Sequence, residues 1–285
     1  MAANIKGMEA QPQAPAPQIL PPEGMEPRPA RRQVPIWHGA PVTHILVAIN
    51  VLVFVAMVAR GISFWMPTPD QLAHWGGTCA ADVLAHGQWW RIVTSMFVHV
   101  GIIHLATNMW CLWNLGLLAE PLLGSYGIAA AYLLTGAAGA LLSTLFNFWA
   151  GNYYTVGAGA SGAVFGLAGV LIILLKSPLL PLERGELKKL RRSVIYFAGI
   201  NLLIGLGSFL SGPMLHVSID NAAHVGGFGC GLLMAVPMVP RIGAERRQFI
   251  VRRRMAVGMM VLLLVLFGFY LTVLTLPPQA PGVVQ

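Results

Sequence analysis

"GAGASGAVFGLAGVLIILL", residues 157–175, poses the question on which the fold turns. Its second half is uninterrupted apolar sequence, and its first half sets one serine, Ser161, among glycines and alanines. The same grease runs through the rest of the chain. Of 285 residues, 56% are hydrophobic and only 10% charged, with a mean hydropathy of +0.69. Soluble domains carry about 25% charged residues, so the composition reads as an integral membrane protein. A hydrocarbon core takes roughly 20 apolar helical residues to cross, and seven stretches qualify: 42–60, 95–117, 125–147, 158–176, 193–212, 221–239 and 256–276. Only helices or closed barrels satisfy their backbones in lipid. These runs are too long and continuous for barrel strands, so the expected fold is all-α.

The charges sort by side. The net charge of +8 invites a nucleic-acid reading, but 16 of the 18 basic residues fall in three places. These are the segment before the first span, the connection between the fourth and fifth, and the connection between the sixth and seventh. If seven spans alternate, all three lie on one face, and only Arg60 and Arg91 lie on the other. The positive-inside rule then puts the N-terminus in the cytoplasm and the C-terminus outside. The charges set topology, and no nucleic-acid partner is expected. Residues 1–41 hold nine of the 20 prolines and read as a disordered tail. The three cysteines, Cys79, Cys111 and Cys230, make no disulfide framework. The outer connection 61–94 is long and rich in tryptophan, which suits a partly helical loop at headgroup level.

Polar side chains within spans are costly and by default mark function. Span two carries "HVGIIHLATNMW" (99–110), in which His104 and Asn108 share one helix face. Ser161 stands near the outer end of span four, and span six opens "DNAAHVGGFGCG" (220–231), with His224 about a turn inside. All lie in the outer half of the bilayer under this topology. Gly162, Gly166 and Gly169 on span four, with Gly227 and Gly231 on span six, let two backbones approach closely. His224 shares its face with Gly227 and Gly231, so such a contact brings it near Ser161. Singly, each residue has a plainer reading: Ser161 as packing glue, Asn108 as an interhelical hydrogen-bonder, the histidines as structural groups or a proton path. Jointly, at one depth, they favour serine hydrolysis over a transporter path, and no internal repeat supports the latter. Metal ligation lacks a carboxylate or thiolate suited to complete a site.

"WR" at 90–91, "HxxxN" at 104–108, "GASG" at 159–162 and "AHxxGxxxG" at 223–231, in this order on these spans, resemble the rhomboid family of intramembrane serine proteases. The resemblance covers about residues 42–239. It implies a six-helix core, with the seventh span as a C-terminal addition, and a division into tail 1–41, core 42–239, basic loop 240–255 and seventh helix 256–285. By position it makes Ser161 the nucleophile and His224 its general base, with the His104 and Asn108 side chains at the oxyanion. It gives Trp90, Arg91 and His99 structural roles. The backbone N–H of Ser161, at the start of a helix, suits a third oxyanion donor.

Two positions depart from the pattern: Phe165 replaces a frequent tyrosine, and Gln88 a glutamate found in some members. The implied partners are the transmembrane segments of other proteins and the bilayer itself; no cofactor and no metal is implied. A chaperone-like relative that binds such segments without cutting is the alternative. Asp220, four residues before His224, is expected to be a solvated helix-start residue and not a third catalytic member.

Overall fold

The computed structural model describes residues 39–177, 179–180, 183–210, 219–239 and 246–275. The expectation of disorder for the tail falls almost wholly outside them. Among the described residues the chain is helical, and its only strand-like pairing is an isolated bridge between Thr78 and Gly157. The main helices are α1 (Pro41–Ala59), α4 (Ile102–Trp149), α5 (Ser161–Leu174), α6 (Arg184–Leu210), α7 (Asn221–Ala235) and α8 (Arg246–Thr275). Between α1 and α4 lie two short helices, α2 (Pro69–His74) and α3 (Arg91–Thr94), so the outer connection is partly helical.

By length and apolar composition, Pro41–Ala59, Ile102–Trp149 and Arg247–Thr275 are each able to cross a membrane. The apolar runs expected as separate spans two and three are two helices that meet at a kink within α4. Gly124 breaks it, at φ 69° and ψ 166°, a conformation open to a residue without Cβ. The first run begins at Ile102 and not at 95, because Gly101 at φ 83° interrupts the chain ahead of the helix. Ser95–Phe97 is instead a single 3-10 turn. In α8 the helix starts at Arg246, inside the stretch expected as a basic loop; arginine is a good helix former and nothing in 246–255 breaks the pattern.

Two buried polar contacts fix α1 against α4. Pro41 opens α1, where its missing N–H costs nothing. The Glu120 carboxylate, 1% exposed, accepts from the Val42 N–H (3.0 Å), the Thr43 N–H (2.7 Å) and the Thr43 hydroxyl (2.7 Å). A carboxylate from another helix thus caps the unsatisfied donors of the α1 start. Farther along, the Asn50 amide donates to the Tyr132 hydroxyl (3.1 Å), which donates to the Met96 carbonyl (3.3 Å). That chain reaches from α1 through α4 to the turn beneath the outer connection.

The centre of the molecule is the packing of α5 against α4 and α7, and small residues make it possible. A Cβ on Gly227 would stand 2.0 Å from the Gly162 carbonyl oxygen, and one on Gly231 2.1 Å from that of Gly166. The backbones of α5 and α7 therefore touch with no side chain between them. In lipid there is no water to squeeze out from between helices, so this close steric fit is what holds the pair.

Candidate active site

Ser161 is the first residue of α5, so its backbone N–H is one of the helix-start donors that no carbonyl of the same helix can reach. The segment leading to it is held in place from two sides. Gly157 and Thr78 exchange backbone hydrogen bonds (2.7 and 2.9 Å), and the Gly159 N–H donates to the Ser95 carbonyl (2.9 Å). His99, fully buried, accepts from the Ala160 N–H on Nε2 (3.4 Å) and faces the Phe97 carbonyl with Nδ1 (3.3 Å). It braces the residue before Ser161, which is a structural task.

His104 lies on the first turn of α4. Its Nδ1 accepts from the Val100 N–H at 3.2 Å, which puts the proton of the neutral ring on Nε2. The Cε1–Nε2 edge of the ring lies against Gly159, where a Cβ would stand 2.6 Å from Cε1 and 3.0 Å from Nε2. Gly159 adopts φ 129°, so both its backbone and its neighbour exclude a side chain. Asn108, 6% exposed, gives one amide N–H to the His104 carbonyl (2.9 Å), and its second N–H remains for another acceptor.

His224, 6% exposed, stacks on Phe165 with ring centroids 4.1 Å apart and planes 13° from parallel. Phe165 sits one turn after Ser161 on the same face of α5. A Cβ on Gly162 would lie 3.4 Å from the carbonyl of Ala223, the residue before His224. The structure thus brings the His224 turn against the start of α5, though no direct hydrogen bond joins Ser161 and His224. Nδ1 of His224 is buried without a partner, which leaves Nε2 as the nitrogen with access to the site.

Asp220 is a helix-start residue as expected, accepting from the Ala223 N–H at 2.9 Å. It is not simply solvated, however: its other oxygen accepts from the Ser143 hydroxyl on α4. Sequence reading missed Ser143, and also Thr78 and Ser95. All three line a cavity of about 40 Å³ together with Ser161 and Asp220, room for roughly two or three waters. A hydroxyl within the third apolar run was the one signal that pointed to Ser143.

The outer connection is anchored by Arg91. Its guanidinium donates to Gln88 (2.6 Å) and to the carbonyls of Ala73 and Gly77, pairs with Asp82 at 3.3 Å, and lies 4.7 Å from the Trp90 ring centroid. Burial raises the Asp82 carboxyl, but hydrogen bonds from Cys79 and His86 and the nearby Arg91 charge outweigh it and hold it below its usual value. Gln88, two residues before Trp90, thus supplies one of the acceptors that hold Arg91.

The family model for the Rhomboid domain matches residues 86–241. Rhomboid protease GluP of Bacillus subtilis is 31% identical over 203 residues, 71% of this chain and 36% of that protein. RHOMBOID-like protein 7 of Arabidopsis thaliana is 32% identical over 168 residues, 59% of this chain and 49% of that protein. Rhomboid protease AarA of Providencia stuartii is 30% identical over 169 residues, covering 54% and 57%. The chain thus spans less than two thirds of the length of each of these curated relatives.

Proposed function

This chain belongs to the rhomboid family, and we propose that it is an intramembrane serine protease that cuts the transmembrane segments of other proteins. In this reading Ser161 attacks the scissile carbonyl and His224 takes its proton through Nε2, since a serine hydroxyl is a weak nucleophile without a neighbouring base. The oxyanion that develops is met by the Ser161 N–H, the His104 Nε2–H and the free amide N–H of Asn108. The observation that carries the reading is the stack of His224 on Phe165, one turn from Ser161, across a glycine contact that no other side chain enters. A Ser–His dyad fits better than a triad, because both Asp220 oxygens are engaged by Ala223 and Ser143 and none reaches His224.

The chain crosses the bilayer seven times in this reading, as a six-helix core followed by α8. The N-terminus is cytoplasmic, the C-terminus outside, and the site lies in the outer half beneath the 61–94 connection. Water enters from that side. A substrate helix must unwind locally to present its carbonyl, so residues that weaken helices are expected near the cut. A fluorophosphonate probe tests the proposal: it should label the wild type in membranes and fail to label Ser161→Ala and His224→Ala. Equal labelling of the Ser161→Ala variant would refute it.

A further inference from the structure

We propose that Asp220 is a positioning residue for His224: its carboxylate clips the first turn of α7 to α4 and so sets where the imidazole meets the start of α5. The inference rests on the roles proposed above for Ser161 and His224. Three observations lead to it.

First, the α5–α7 contact is made by glycines, which permit close approach but offer no interlocking side chains. Gly226, Gly227 and Gly231 all lie against backbone atoms of α4 or α5. Such a surface resists separation yet does little to stop α7 from sliding or turning by a fraction of a residue. Second, among the described residues no hydrogen bond holds the angle of the His224 ring. Nδ1 is unbonded, and a stacked Phe165 ring leaves in-plane rotation free. The imidazole therefore inherits its position from the α7 backbone. Third, the only directional side-chain link between that backbone and α4 at this depth, among the described residues, runs through Asp220. The Asn147 amide donates to the Ser143 hydroxyl (3.2 Å), Ser143 donates to one Asp220 oxygen, and the other oxygen accepts from the Ala223 N–H (2.9 Å). Ser143 is 2% exposed, and its bond to Asp220 stands at the wall of the small cavity beside Ser161. The chain ends one residue before His224.

The test uses the full-length protein in proteoliposomes with a transmembrane substrate, reading kcat and KM separately. It also follows amide hydrogen exchange in the first turn of α7. Asp220→Ala should lower kcat by about a hundredfold with KM little changed, the scale of a misplacement of about 1 Å. Asp220→Asn should lose less than about tenfold, because an amide oxygen still caps the helix and its N–H can still reach Ser143. The pH profile of that variant should keep its midpoint. Ser143→Ala, the milder change to folding, should also slow kcat, and the double variant should be no slower than Asp220→Ala alone, since Ser143 acts only through Asp220. First-turn amides of α7 should exchange faster in Asp220→Ala and not in Asp220→Asn.

Wild-type kcat in Asp220→Ala, unaltered exchange there, or multiplicative effects in the double variant would overturn the proposal. A thousandfold loss in Asp220→Asn with a displaced pH midpoint would overturn it in favour of a triad. If the wild type neither cleaves nor takes the probe, the protease reading fails, and the exchange measurement alone decides whether the clip exists.

Discussion

Along α5, 11 of 14 residues are buried, on every face of the helix, whereas α1 hides only five of 19: the stripe Thr43, Leu46, Asn50, Phe54 and Met57. Both helices are strongly apolar, so hydrophobicity does not separate them. Size does. α5 has glycine or alanine at five of its 14 positions, three of them glycine, and two neighbours close on its backbone there. α1 turns Ile45, Leu52 and Val55 outward, where lipid is as good a partner as protein. The contrast teaches that in a membrane the interior is chosen by steric fit, and a backbone-to-backbone fit of this kind lies beside Ser161 and His224.

Gly227→Val strikes that fit hardest. The nearest atoms to its Cβ are the backbone of Gly162, which cannot yield as a flexible side chain would. Overpacking of this kind costs about 1–3 kcal/mol or more, and here it also parts the turns that carry Ser161 and His224. Both thermal stability in detergent and fluorophosphonate labelling should collapse; wild-type values for either would mean that the α5–α7 contact does not hold the site.

Ser161→Ala separates chemistry from packing. Cleavage should fall below detection, as removing a serine nucleophile costs about a millionfold, while the melting temperature stays at the wild-type value. Appreciable turnover in the purified variant would remove Ser161 from the mechanism. At the next level, Asn108→Ala should slow cleavage by about tenfold to a thousandfold, the range for one oxyanion donor. His104→Ala should do likewise, and the two together should fall short of the product of their effects. Unchanged kcat in both single variants would leave them as interhelical contacts only. The smallest effect belongs to the lipid face: Leu52→Ala, at a position 65% exposed, should change stability by no more than about 0.5 kcal/mol. A loss comparable to Gly227→Val would erase the contrast between the two helices.

Much of this was legible in sequence, for physical reasons. Apolar runs announce helices in lipid because the backbone has no other way to satisfy itself. Ser161, His224, His104 and Asn108 stood out because polar groups are rare at depth, and the glycine spacing on α5 and α7 foretold which helices meet. The pairings across long separations were not legible. Glu120 caps α1 from 77 residues away, and Ser143 reaches Asp220 across the same distance. Neither leaves a periodic trace, since one hydrogen bond needs only one residue at each end. The break at Gly124, by contrast, was legible, since it falls in the gap between the apolar runs 95–117 and 125–147.

The bridge between Thr78 and Gly157 has a mechanical consequence. The 61–94 connection is fastened at Arg91 by carbonyls and side chains, and at Thr78 by two backbone bonds to the loop that leads to Ser161. It is therefore a strut and not a flap. A pull on the connection at Thr78 bears on Gly157, four residues before Ser161. Anything that grips this connection at Thr78 is gripping, at one remove, the ground on which Ser161 stands.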